Sequence, residues 1–378
     1  MKMHRLLAIA RKECIQIKRD WRSLFLTIGT PIFLLVLFAY ALTLDVDNVP
    51  MTIWDQSKTP ESRDLISRFV GSRYFTIKGG YANNYKEIEH ALDTGKASIA
   101  LVIPENFASR LDSGLPAKIQ LLVDGSDANT ATISLGYADA VAHGFSKELF
   151  IEEMRHQGKE PPKPAIDLRT RVWFNPDKES KNNIIPGLIG VIMMVIASLM
   201  TSLTVAREWE RGTMEQLIAT PMKSTEMIFG KMLPYFAMGA IDVLLIVLIG
   251  KFVFEVPFRG SYLLLVGMAT LFLIGALSLG MLISIVTKSQ LLASQLATVL
   301  TFLPSFLLSG FLSAINNMPE PIQAITYFVP ARYFITFLRA IYLKGVGLSI
   351  LYTEGIFLLL FALTMALAAN IVFKKKLT

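Results

Sequence analysis

Cysteine is almost missing from this 378-residue chain: Cys14 is the only one, so a single copy can build neither a disulfide framework nor a cysteine-rich metal site. His90, His143 and His156 lie scattered, without the spacing that ligates a metal. There is no phosphate loop of the form G-x-x-x-x-G-K-S/T, so whatever energy the protein uses, it does not bind ATP by that device itself. A G-x-S-x-G nucleophile elbow is also missing, because "GALSLG" has the wrong spacing. "DGSDAN", residues 124–129, lacks the alternating ligands and the bidentate glutamate of a calcium loop. It reads as a turn followed by a helix N-cap. Charge is scarce too, at 18% of residues, and it vanishes over whole windows of the chain.

Apolar residues make up 53% of the chain and the mean hydropathy is +0.48, which excludes an ordinary soluble domain. A hydrocarbon layer of about 30 Å needs roughly 20 helical residues. Runs 24–43, 184–206, 260–287, 289–314 and 355–373 meet that length without a charge. Run 232–250 meets it if one acid, Asp242, is tolerated. The sequence therefore predicts a polytopic α-helical membrane protein with six transmembrane helices.

Orientation follows from the basic residues beside the spans. Lys2, Arg5, Arg11, Lys12, Lys18, Arg19 and Arg22 precede the first span, and Lys374, Lys375 and Lys376 follow the last. Both ends are expected to be cytoplasmic, in the inner membrane of a bacterial cell, and an even number of crossings follows. The doubtful segment 315–345, which carries Pro330, Arg332 and Arg339, then reads as a hairpin that enters from outside and returns. Residues 1–23 predict an amphipathic interfacial helix, with Leu7, Ala10, Cys14, Ile17 and Trp21 on one stripe and Arg5, Lys12 and Arg19 on another face. An uncleaved topology anchor is the plainer reading of the same residues.

Residues 44–183 differ in composition, with 17 Lys/Arg against 20 Asp/Glu between Asp45 and Asn183, enough charge for a separate soluble domain. Strand-like runs at 51–54, 74–78, 98–103, 118–123 and 171–174 alternate with helical patterns, the longest showing Leu135, Ala138, Ala142, Phe145 and Leu149 on one face. An inserted α/β extracytoplasmic domain is expected. "QGKEPPKPAID", residues 157–167, reads as a flexible excursion.

A knot of charge, "VAREWERGTMEQLIATPM", separates the second apolar run from the third. Glu208 and Arg211, three apart, suit a surface ion pair. Gly212 suits a left-handed helix end. Thr213 and Gln216 have the T-x-x-Q spacing of a capping box that starts a new short helix, with Pro221 stopping it. That helix would show Met214, Leu217 and Ile218 on one side.

"REWERGTMEQLIATPM", residues 207–222, resembles the cytoplasmic signature of type-2 ABC export permeases, whose usual form is close to R-E-x-E-R-G-T-x-E-Q-L-x-x-T-P. Arg207, Glu208, Glu210, Arg211, Gly212, Thr213, Glu215, Gln216, Leu217 and Pro221 all match it. The stretch 307–345 resembles the re-entrant region before that family's last span, although relatives more often have proline where this chain has Ala314 or Ile315. The resemblance is strong over 184–378 and weak in the external domain. It implies a permease subunit that is not itself an enzyme, with no cofactor of its own, ATP and magnesium being held by a cytosolic ATPase. It further implies a second copy or a homologous permease, a coupling helix at 207–222 seated on the ATPase, room for an extracytoplasmic adaptor protein, and no nucleic-acid partner.

Within the membrane, Ser294, Thr298, Thr301, Ser305 and Ser309 repeat along the fifth span, with Gln290 continuing the line. They either line a substrate passage or serve helix packing. Ala276, Gly280 and Ser284 on the fourth span read as packing. Asp242 sits about ten residues inside its span, where a charge costs about 2.5–3.5 kcal/mol. It is therefore expected to be protonated, paired or facing water, serving in substrate contact or proton linkage or, as the favoured reading, standing as a neutral carboxyl bonded to a neighbouring helix. The rival function is an ATPase-driven scaffold or signal transmitter that acts through the external domain. A secondary transporter would show internal repeats and several intramembrane charges.

Overall fold

The computed structural model describes residues 3–42, 46–156, 158, 171–176, 179–220 and 222–373. Pro221, the basic tail 374–376 and all of 157–167 but Gly158 lie outside them. The chain divides into two compact units, one made of Met1–Thr43 with Arg171–Thr378, the other of Leu44–Thr170.

The elements in chain order are α1 (Met3–Arg19), α2 (Trp21–Ala41), β1 (Val49–Asp55), α3 (Pro60–Gly71), β2 (Phe75–Tyr81), α4 (Tyr85–Asp93), β3 (Ile99–Ile103), α5 (Phe107–Asp112), β4 (Gln120–Val123) and α6 (Ala128–His156). After these come α7 (Lys181–Glu210), α8 (Thr213–Ala219), α9 (Ser224–Phe252), α10 (Tyr262–Thr287), α11 (Gln290–Leu307), α12 (Glu320–Thr326), α13 (Pro330–Arg339) and α14 (Tyr352–Val372).

The smaller unit is built on a sheet of order β2-β1-β3-β4, with β1 parallel to β2 and β3, and β4 antiparallel to β3. Because side chains alternate across a strand, Ile99, Leu101 and Ile103 enter one core with Phe69, Phe75 and Phe145, while Ala100 and Val102 enter another with Ile88. Helices thus cover both faces, as the α/β pattern predicts. Asp127 accepts from the backbone of Asn129 and Thr130 at the start of α6, and Asp124 accepts from Ser126 N. "DGSDAN" is therefore a turn and an N-cap; the Thr130 hydroxyl, ahead of the backbone N–H groups, lowers the pKa of the Asp127 carboxyl, and the Ser126 backbone N–H lowers that of Asp124. The strand expected at 171–174 does not form. Trp173 is 73% exposed, and Asn175, just past the run, takes a left-handed φ of 55° that breaks the extension before Pro176.

Among the described residues the larger unit holds five helices long and apolar enough to cross a membrane, namely α7, α9, α10, α11 and α14, and Thr27–Ala41 within α2 is a shorter apolar helix. Every apolar run read from the sequence falls on one of these helices, although run 289–314 is α-helical only to Leu307. At its centre lies α7, which packs against α2, α9, α10, α11 and α13. Ser198 and Thr201 on α7 donate to the Ala276 and Leu277 carbonyls of α10, at 2.9 and 2.8 Å. That approach requires Gly280, because a Cβ there would collide with the Ser198 carbonyl oxygen and the Thr201 hydroxyl. Gly280→Ala is expected to cost about 1–3 kcal/mol or more, since the two helices must part. Gly267→Ala, on the same helix with open space around it, should cost nothing. Thermal unfolding of the two purified variants checks this, and equal loss in both would refute the packing role.

Segment 315–345 is broken helix, as expected: a 3-10 turn (Ile315–Asn317), α12, a gap ahead of Pro330, α13, and a π-helical turn (Ala340–Lys344). Its Arg339 donates to the Gly310 and Phe311 carbonyls at 2.8 and 3.1 Å, satisfying backbone that has left the helix. Arg332 lies 4.1 Å from the centre of the Tyr327 ring.

The phase of α1 differs from the stripe read in the sequence. Leu6, Ile9, Ala10 and Glu13 are buried, and α1 packs on α9. Leu7, Cys14 and Trp21 are exposed. A glutamate faces inward because a lysine waits there, and periodicity counts only apolar residues.

Candidate functional site

The charged knot begins where α7 runs out of apolar sequence. Gly212 takes φ 68° and ψ 4°, a left-handed turn that costs a glycine little, and α8 starts at the next residue. The expected capping box does not form. Gly212 itself occupies the N-cap, so Thr213 is already the first helical residue, and its hydroxyl reaches back to the Glu208 carbonyl at 3.4 Å. Met214 is buried, while Leu217 and Ile218 are half-buried against the same membrane-unit core. The apolar side of α8 is therefore already occupied by the chain. Arg211, Gly212, Glu215 and Gln216 are exposed.

Glu208 does not pair with Arg211. It is 4% exposed and turns inward, where Oε1 accepts from Lys12 Nζ at 2.6 Å. Its Oε2 lies 2.8 Å from Lys231 Nζ, close enough for strong attraction though not aligned as a second hydrogen bond. Lys231 in turn donates to Glu13 Oε1 at 2.7 Å. Two acids and two bases from α1, α7 and α9 thus form one neutral cluster, and Lys231 is fully buried within it. Buried charges persist only when paired, and here each has an opposite neighbour.

On the other side of α7 the motif grips the start of α11. Glu210 Oε1 accepts from the Gln290 backbone N–H at 2.7 Å, and Glu210 Oε2 accepts from its side chain. An acid at a helix N-terminus also meets the positive end of the dipole. Arg207 Nε lies 3.4 Å from Gln290 Oε1, and Lys288 sits 4.6 Å from the centre of the Trp209 ring. Residues 207–210 therefore tie α7 to α1, α9, α10 and α11 at one end of the bundle. Sequence reasoning missed Glu13 and Lys231; the available signal was a lysine among apolar neighbours in "MIFGKMLPYF".

The hydroxyls of α11 do not form one lining. Thr301, Ser305 and Ser309 are buried, Ser294 is half-buried and Thr298 is exposed. Ser294, Thr298 and Thr301 donate to the Leu291, Ser294 and Ala297 carbonyls of their own helix, at 2.9, 2.8 and 2.6 Å. The Ala276, Gly280 and Ser284 row is packing, with Ser284 Oγ accepting from Val205 N and Ala206 N. Asp242 is 4% exposed, and neither carboxylate oxygen has a hydrogen-bond partner among the described residues. The expected bond to a neighbouring helix is not made.

A bundle of apolar helices, tied together at one end by a charged hinge and a short half-buried helix, defines a polytopic membrane protein built around that hinge. The chain belongs to the ABC-2 family transporter proteins, whose profile matches residues 21–370. It is 37% identical over 356 residues to "Probable multidrug ABC transporter permease YbhS" of Escherichia coli (strain K12), covering 94% of this chain and 93% of that one. It is 30% identical over 373 residues to "Probable multidrug ABC transporter permease YbhR" of the same strain, covering 99% of both. "Inner membrane transport permease YhhJ" is 27% identical over 315 residues, 81% of this chain and 79% of that one.

Proposed function

We propose that this chain is the membrane subunit of an ATP-driven exporter and that α8 is the part on which a separate cytosolic ATPase acts. Carrying this reading is the placement of the matched motif: its exposed Glu215 and Gln216 stand on α8 while Glu208 and Glu210 anchor the same segment to α1, α9 and α11. A push on α8 then moves α7 and the ends of several helices together, because the charge cluster and the Glu210–Gln290 clasp leave little slack. In this reading α2, α7, α9, α10, α11 and α14 are six crossings, so both ends share one side with α8, and the basic flanks make that side the cytoplasm, with residues 44–183 outside. A second copy or a homologous permease completes the pathway, and an extracytoplasmic adaptor can extend it. ATP and magnesium belong to the ATPase. The names of the two E. coli relatives suggest small drug-like cargo. Among the path candidates, Thr298 and Ser294 are the α11 hydroxyls left accessible, whereas Thr301 and Ser305 act within the bundle.

Orientation is the part most cheaply tested. In a Cys14→Ser background, a cysteine at Ser126 is expected to react with an impermeant maleimide on intact cells, and one at Ser224 only after permeabilisation. Labelling at Ser224 but not at Ser126 would overturn the arrangement.

A further inference from the structure

Among the described residues the buried Glu13, Glu208 and Lys231 each stand against an opposite charge, and Asp242 does not. Both its oxygens are enclosed without a partner among the described residues, in a shell of Pro31, Ile192, Ala197, Gly239, Ile246 and Leu273. An acid in such a place contributes nothing to packing and is costly to ionise alone. A pocket of about 10 Å³ lies against it, room for about one water-sized sphere. Beside that pocket is a cavity of about 370 Å³ between α1, α2, α7 and α9, within the size range of small-molecule sites. Ile196 and Met200 line both spaces. Met238, one turn before Asp242, also lines the larger one. Met200 is unbranched and flexible, so the partition between them is soft.

We infer that α2, α7 and α9 enclose a binding site for hydrophobic organic cations, with Asp242 as the counter-charge. The cavity walls near Asp242 are apolar and suit an aromatic or aliphatic body. The lining also carries the polar Gln16, Asp20, Thr27, Thr30, Arg207 and Tyr235. A cation that pushes past Met200 supplies the partner Asp242 lacks, and the neutral carboxyl releases its proton to water as the carboxylate pairs with the cation. An anion of the same shape finds no such gain. Arg207 belongs both to this cavity and to the charged hinge, so occupancy is felt where α7 meets α8 and α11. This inference deepens the permease reading and rests on it for the claim that the bound cation is cargo; binding itself needs no ATPase.

The test is equilibrium binding of radiolabelled tetraphenylphosphonium to the full-length protein in nanodiscs of zwitterionic lipid, with tetraphenylborate as an anion of matching size. The wild type is expected to bind the phosphonium saturably and the borate not at all. Asp242→Asn should weaken phosphonium binding by about tenfold or more, as the loss of a charged partner does, while leaving the melting temperature unchanged or raised. Asp242→Glu should restore it. Met200→Trp, which fills the partition and keeps the acid, should weaken it as well, and it serves if Asp242→Asn fails to fold. No saturable binding by the wild type, or equal binding by the wild type and both weakening variants, would overturn the site. Binding as expected with no ATP-driven movement of the phosphonium in the assembled complex would leave the site standing and sink the permease reading.

Discussion

Lys231→Met is expected to destabilise the protein by about 3–5 kcal/mol, because removing one member of a buried ion cluster leaves its partners charged and unmatched. Lys231 is 1% exposed and touches two carboxylates, Glu13 at 2.7 Å and Glu208 at 2.8 Å. Methionine has nearly the same length, so the loss is electrostatic rather than a cavity. The two acids do not suffer equally. Glu208 keeps Lys12 at 2.6 Å, but no second base is within ion-pair distance of Glu13 among the described residues. The double variant Lys231→Met with Glu13→Leu should therefore recover most of the loss, since a buried pair replaced by apolar side chains of similar volume is often neutral or better. Thermal unfolding in detergent and the yield of monodisperse protein read both effects. A single variant as stable as the wild type, or a double variant no better than the single, would show that the cluster is not what holds α1 to α9.

That cluster also marks the limit of what the sequence could tell. Apolar runs announced the long helices, because bilayer thickness dictates their length and charge cannot interrupt them cheaply. Gly212 was legible as a hinge, because a left-handed residue between two helical patterns calls for glycine. Four of five strands and the Asp127 cap were legible for the same kind of reason, a local pattern with a local cause. Glu208 was not, since its partners lie 196 and 23 residues away along the chain, and Arg211 was the nearer candidate. Capping at Thr213 failed by one position, because Gly212 took the N-cap that the T-x-x-Q spacing assigned to the threonine. On α11 the hydroxyl repeat was legible, but its facing was not. Small polar side chains satisfy themselves on their own helix, and which of them meet α7 depends on how the helices are rolled.

The largest functional loss is expected from Glu215→Arg combined with Gln216→Arg. Both residues are exposed on α8, opposite Met214, Leu217 and Ile218, so the fold should not feel the change by more than about 0.5 kcal/mol. If this face seats in the ATPase, two long cations in place of an acid and an amide clash in size and charge at the centre of the contact. Central contact residues typically cost about 2–4 kcal/mol, which weakens association by about 30-fold or more. Leu217→Asp is the poorer probe, because Leu217 packs on the chain's own core and its loss would confound folding with binding.

Co-purification of the ATPase with this double variant, run beside the wild type with melting temperatures for both, tests the central claim most directly. The account predicts a variant that inserts and melts like the wild type but comes through purification without the ATPase. A variant that retains the ATPase in full and transports normally would mean that α8 is a surface connection, and that force enters the bundle elsewhere.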